Sequence, residues 1–334
     1  MRVGLSFDLR NPKQWRRPWR DFYGASLDLI SEAERVGVDV IKIAEHHGFE
    51  DGYIPQPLTF LAAAAARTSR IRLSTGILTA PLHSAVEIAE QAAVVDGLSG
   101  GRLELALGIG YRKPEYDLYG VNFDDRFKLF SDRVRAIRDL WTSGKTTPQP
   151  VQSTIPMWAG VQGPKTCRMA GRLGMGLLFL PDENWQSYLD GLEEGGHGKA
   201  AARLGGSLQA ILADDPEQAF EALAPMIEHS RYSYAWYGVE NTGKPLPKPM
   251  RLEELKEAGL VGSHGSATSK LLSGGRVLQV LSPEEAASQI LAMAKGRNID
   301  TVYIAGAVSG QVDSLALRNA ELLVKKLKPL LATA

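Results

Sequence analysis

Apolar residues along the chain follow two alternating rhythms. Short β-branched or leucine-rich runs occur at VGLSF (3–7), VIKIA (40–44), IRLSTGI (71–77) and LELALG (103–108). Between and after them, residues 19–36, 57–67, 84–98 and 124–141 place apolar side chains at helical spacing. Four strand–helix units in succession require a parallel sheet, because each strand must return to the same end of the sheet through a helix. PMWAG (156–160), GLLFL (176–180), LQAILA (208–213) and TVYIAG (301–306) bring the strand count to eight. Eight is the number of a (β/α)8 TIM barrel, and a last helix from Asp313 to Leu330 would complete the ring; a doubly wound sheet usually has fewer strands and would not need that helix. The expected fold is therefore α/β, one barrel domain spanning 1–334.

Such a barrel needs roughly 250 residues, and this chain has 334. The surplus is assigned to an insertion near the C-terminal part, about 229–275. It is aromatic at its start (RYSYAWYG), proline-spaced in the middle (KPLPKP) and Gly/Ser-rich at its end (GLVGSHGSATSKLLSGG). Irregular segments this long usually act as lids or links, so a mobile cover over the barrel mouth is expected. Tyr232, Tyr234, Trp236 and Tyr237 would either line the site or pack the cover on the barrel. DGLSGGR (96–102) reads as helix end, turn and strand start, and no solenoid repeat stands out.

Charge alters the picture of partners. Lys plus Arg and Asp plus Glu are 38 each, so no global field attracts nucleic acid or an anionic membrane, and a small organic molecule is the expected partner. The longest apolar run, LTFLAAAAA (58–66), is far short of the roughly 20 residues of a membrane-spanning helix. The single cysteine, Cys167, allows no internal disulfide, and the first residues alternate like a strand, so a cytoplasmic location is expected.

Candidate chemistry begins at EHH, residues 45–47, directly after VIKIA. In a barrel of this kind, functional groups sit where strands end. Neighbouring strand residues point to opposite faces, so one of His46 and His47 is expected to face the site. A metal is not expected: HExxH is absent, and His83, His197, His229 and His264 are scattered along the chain. Acid–base or hydrogen-bonding use is preferred over a pair of polar residues that merely cap a loop. AGVQGPKT (159–166) follows a strand and opens a helix, and its amides, with Lys165, Thr166 and Arg168 nearby, suit a phosphate. Two residues between its glycines, and Pro164 before Lys165, depart from a nucleotide-hydrolysing P-loop. In GIGYRKPEYDLYG (108–120), Lys113 stands in place of the third glycine of GxGxxG. Gly108 and Gly110 serve close packing at the rim, room for a flat ring, or both. In STGILTAPLHSA (74–85), a glycine inside the strand pattern marks a bulge or a close approach of ligand to backbone.

EHH, the block STGILTAPLHSAVEIAEQAAVVDGLSGGRLELALGIGY (74–111) and PMWAGVQGPKT together resemble the bacterial luciferase-like flavin monooxygenases, and the likeness runs from VGLSF to IDTVYIAG. The resemblance implies a (β/α)8 barrel that takes reduced FMN from a separate flavin reductase, reacts it with O2, oxygenates an organic substrate and forms a homodimer. It implies His46 as the catalytic residue at the reactive edge of the flavin, with His47 and Glu45 in support. It places a non-prolyl cis peptide between Gly76 and Ile77 under the flavin ring, and the phosphate against Gly160, Val161, Gln162 and Gly163 with Lys165 or Thr166. Gly163 replaces a serine frequent in the family. The cysteine of light-emitting members has no counterpart, Gly108 standing at that position, so light emission is not implied. Members of the same superfamily use a deazaflavin coenzyme for hydride transfer, and a non-catalytic flavin-binding subunit is a further alternative.

Overall fold

The computed structural model describes residues 1–178, 184–251, 253–254, 278–294, 297–311 and 313–332. Its strands are β1 (Arg2–Phe7), β2 (Val40–Ile43), β3 (Arg72–Thr75), β4 (Leu78–Thr79), β5 (Leu103–Gly108), β6 (Met157–Gly160), β7 (Gly176–Leu177), β8 (Gly205–Ser207), β9 (Ala210–Leu212), β10 (Gln279–Leu281) and β11 (Thr301–Ala305). The main sheet runs β7-β6-β5-β3-β2-β1-β11-β8, with β4 continuing β3 alongside β5. All its described pairings are parallel, and a parallel bridge between Leu177 and Leu204 joins the two ends. With β3 and β4 taken as one kinked strand, eight strands close a barrel, as the strand–helix rhythm predicts.

The surrounding helices are α1 (Trp19–Val36), α2 (Pro57–Arg67), α3 (Ala85–Ser99), α4 (Lys113–Tyr119), α5 (Arg126–Thr142), α6 (Pro164–Arg172), α7 (Trp185–Glu194) and α8 (Pro216–Val239), followed by Pro283–Ala294 and by Ser314–Leu322. The last of these runs through a π turn at Leu323–Leu327 into Lys328–Ala332. Local chemistry sets these boundaries. Ser84 accepts the Glu87 amide at the start of α3, and Gly100 ends it in the left-handed conformation, so DGLSGGR is the stop, turn and restart its composition predicts.

Alternation along the strands sorts the core. Val3, Leu5, Ile41 and Ile43 face the helices in the large apolar cluster, whereas Val40, Ala106, Trp158, Leu178 and Tyr303 form a second cluster inside the barrel. At the N-terminal end of the strands Glu104 plugs the barrel. It receives Arg2 and Arg72 at 2.5 Å and the Trp158 indole N–H at 2.9 Å. Burial opposes its ionisation, but the paired arginines outweigh that and lower its pKa. The ion pairs at this end serve stability, leaving the opposite, C-terminal end for the site.

Three expectations change. The ring strand in the seventh position is β8; β9, inside LQAILA, pairs instead with β10, a strand the pattern did not reveal because three residues are too few to show a period. The start of the segment 229–275 is regular: residues 229–239 are the last turns of α8, so the four aromatic residues assigned to a loose cover lie on a helix. RYSYAWYG lacks glycine until its end, and nothing in it stops a helix already running from Pro216. Its Gly/Ser-rich end and most of residues 252–277 lie outside the described residues.

Candidate active site

The loop after β2 carries EHH to the C-terminal end of the barrel and turns its side chains apart. The His46 ring packs on Phe49 and meets the edges of Tyr53, Tyr111 and Tyr234. Its Nδ1 lies 2.7 Å from Oε1 of Glu115, and its Nε2 lies 3.5 Å from the Tyr111 hydroxyl. Burial pushes the His46 pKa down; Glu115 pulls against it without reversing the shift, so the imidazole is neutral near neutral pH. In that state Nδ1–H donates to Glu115 and the Nε2 lone pair is left toward the mouth, beside Tyr111. Glu115 is held in turn by the His47 amide at 3.0 Å and Nη1 of Arg112 at 2.9 Å. Burial raises its pKa, but these partners together with His46 bring it below the ordinary value, keeping a carboxylate there to fix the tautomer.

His47 turns the other way. Its Nε2 is 3.0 Å from Oε1 of Glu45, which also lies 2.7 Å from Nε2 of His83, while Oε2 of Glu45 accepts the Thr79 amide. His83, distant in sequence, thus joins EHH in space and corrects the reading of the histidines as scattered. Glu45, His47 and His83 are all buried, with three ligand-type atoms within 4.8 Å of one another. The carboxylate oxygen is at hydrogen-bond distance from both imidazoles, so the cluster satisfies its own polar atoms and ties β2 to β4. Burial disfavours the charged form of Glu45, but the two histidines outweigh it and hold its pKa at about 2. Burial also opposes a charged His83, and Glu45 overrides it, raising that pKa.

The glycines named from the sequence form a floor next to these side chains. The Gly76–Ile77 peptide is cis, where the family resemblance places it. Gly108 pairs with Gly160 in register, and a Cβ at Gly108 would lie 1.6 Å from Cδ1 of Ile77. Gly110, at φ +77°, would bring a Cβ within 2.6 Å of Thr79 Cγ2. Thus Gly76, Ile77, Gly108, Gly110 and Gly160 come together across β3, β4, β5 and β6, and the space that side chains at Gly76, Gly108 and Gly110 would take is filled by Lys42, Ile77 and Thr79, which leaves a close-packed surface of backbone.

The chain then enters α6. Gly163 precedes it at φ +86° with Pro164 as the first helical residue, and no side chain caps that start. The side chains of Gln162 and Lys165 are exposed and that of Val161 is buried. Thr166 turns its hydroxyl back to the carbonyls of Gln162 and Gly163, whereas the Lys165 side chain is exposed. The helix start offers amides and a positive dipole end to an anion.

Sequence reasoning missed Glu115, His83 and Tyr111. Glu115 stands inside GIGYRKPEYDLYG, where the glycines dominated the reading; an acid buried on a short helix after a barrel strand was the available signal.

The chain has relatives. A family model described as luciferase-like monooxygenase matches residues 5–297. The chain belongs to the luciferase-like monooxygenase family. Among its relatives, the oxygenase component of a flavin-dependent trigonelline monooxygenase from Acinetobacter baylyi is 26% identical over 266 residues, 71% of this chain and 72% of that one. An F420-dependent glucose-6-phosphate dehydrogenase from Amycolatopsis mediterranei is 29% identical over 187 residues, 50% of this chain and 56% of that one. The matched stretch spans from about half to 72% of the length of these and other curated relatives. In fold, the oxygenating constituent of 3,6-diketocamphane monooxygenase from Pseudomonas putida, solved with FMN, superposes with a TM-score of 0.72 at 19% identity, covering 98% of each chain. The chain's relatives therefore include both a flavin-dependent monooxygenase component and F420-dependent dehydrogenases, and the barrel alone does not separate them. No described helix is long and apolar enough to cross a membrane.

Proposed function

We propose that this enzyme is a flavin-dependent monooxygenase that takes reduced FMN from a separate reductase and uses O2 to oxidise a small organic substrate. The observation that carries this reading is the pairing of a neutral, Glu115-anchored His46 with the glycine floor formed by Gly76, Gly108 and Gly160. The floor fits a flat tricyclic ring, and the start of α6 with Lys165 fits its phosphate. Bound reduced FMN would supply the electrons that activate O2. The protein's part is to hold the ring at the floor, to exclude water with the rings of Phe49, Tyr53 and Tyr234, and to offer Nε2 of His46 as a hydrogen-bond or proton partner at the reacting edge. Tyr234 also hydrogen-bonds Tyr53 at 2.8 Å, and Tyr237 stacks on Phe49, so α8 supplies the cover assigned to the insertion. A homodimer is part of the proposal, supported by exposed Val86, Val94 and Leu98 along α3.

The test is anaerobic titration with reduced FMN and, separately, with reduced deazaflavin, followed by mixing with O2. Saturable binding of FMN, with a reoxidation rate set by the protein, is expected. Selective binding of the deazaflavin, with FMN reoxidising as it does free in solution, would overturn the FMN reading in favour of hydride transfer.

Gly108→Val gives a second check. A side chain there collides with Ile77 and pushes it out into the surface where the ring would lie, so FMN affinity is expected to fall by at least about tenfold while the far-ultraviolet circular dichroism stays that of the wild type. Unchanged affinity would mean the ring lies elsewhere.

A further inference from the structure

One long cationic side chain stands in the glycine floor. Lys42 lies two residues beyond Val40 on β2, hence on the same inward face and one layer nearer the mouth. It is in register with Ser6 and Ser74, and it is buried although its strand is otherwise Val, Ile and Ile. Its stem occupies the space beneath Gly76: a Cβ on that glycine would sit 2.7–2.8 Å from Cβ, Cγ and Cδ of Lys42. Its Nζ donates to Oγ of Ser207 at 2.8 Å and lies 4.4 Å from the centre of the Tyr303 ring. Ser207 and Tyr303 hold the ammonium inside the barrel, on the underside of the floor whose upper side opens to the mouth. A lysine is rarely buried in such a strand without a task, and packing alone would be served by methionine or leucine.

We propose that Lys42 is a positioning residue for the redox state of the bound flavin: in its protonated form, held under the floor, it favours the anionic reduced ring over the neutral oxidised ring. This rests on the flavin reading above. The chemistry is simple in charge. Oxidised isoalloxazine takes up two electrons and one proton and so gains one net negative charge, which a cation held in a low-dielectric interior stabilises, while the oxidised ring gains little. The preference belongs to a protein that must capture reduced flavin released by another enzyme.

The experiment measures dissociation constants of oxidised FMN and of anaerobically reduced FMN for the wild type, Lys42→Met, Lys42→Gln and Lys42→Arg. The wild type is expected to bind the reduced form more tightly. Both neutral variants are expected to lose about tenfold in the ratio of the two constants, which for a two-electron couple is about 30 mV, and Lys42→Arg is expected to keep it. Lys42→Gln keeps a donor toward Ser207, so it reports if the methionine variant fails to fold. A wild-type ratio in a folded neutral variant would overturn the proposal for Lys42 alone. Absence of FMN binding by the wild type in both states would overturn the flavin reading itself, and the two failures are thereby distinct.

Discussion

Replacing His46 with Ala is expected to abolish substrate oxidation, by about a hundredfold or more, while FMN still binds. A positioned acid–base group contributes about 10²–10⁴ in rate, and no other described imidazole shares its surroundings: His47 and His83 are both engaged with Glu45. Glu115→Gln is expected to reach part of that loss. The glutamine keeps the bulk and an oxygen but no longer holds a negative charge against Nδ1–H, so the preference for the tautomer with a free Nε2 weakens. The measurement is turnover alongside FMN affinity for each variant and, for Glu115→Gln, the pH profile, whose histidine limb should move relative to wild type. Equal turnover by wild type and His46→Ala would remove His46 from the chemistry.

Glu45→Ala is expected to cost stability rather than chemistry alone. It leaves two buried imidazoles and the Thr79 amide without their common acceptor, and removing one partner of a buried ionic cluster typically costs about 3–5 kcal/mol. The signature is its dependence on pH. Glu45 is held at about 2 against an ordinary 4.5, so its contribution is present above pH 4.5 and is lost as pH falls toward 2. His83 is raised above 6.5, so its contribution is present below pH 6.5 and is lost as pH rises through the raised value. The stability difference between wild type and variant should therefore be greatest between pH 4.5 and 6.5 and shrink on both sides. Denaturant unfolding over that range measures it; a difference independent of pH would mean the cluster is not an ionic one.

Most of the barrel was legible in the chain because its cause is local. Helices α1 and α2 begin and end at the residues the apolar period gives, and β5 is LELALG itself. A parallel strand buried on both faces needs continuous apolar runs, and those survive translation into sequence. EHH and the glycines were legible as positions: a strand end, a kink, a helix start. Their chemistry was not. Whether His46 or His47 faces the mouth depends on the turn after Ile43; which nitrogen of His46 is free depends on Glu115, 69 residues away. The neutrality of His46 comes from burial under rings contributed by the β2 loop, the β5 loop and α8, and the charge on Glu45 from His83 on the far side of β4. The sequence by itself determined the order and period of the elements, since hydrogen bonding and apolar spacing act over a few residues. Protonation, tautomer and the match of Lys42 to the space under Gly76 were decided only by the tertiary structure, because electrostatic and steric fields depend on distance in space and not on distance along the chain.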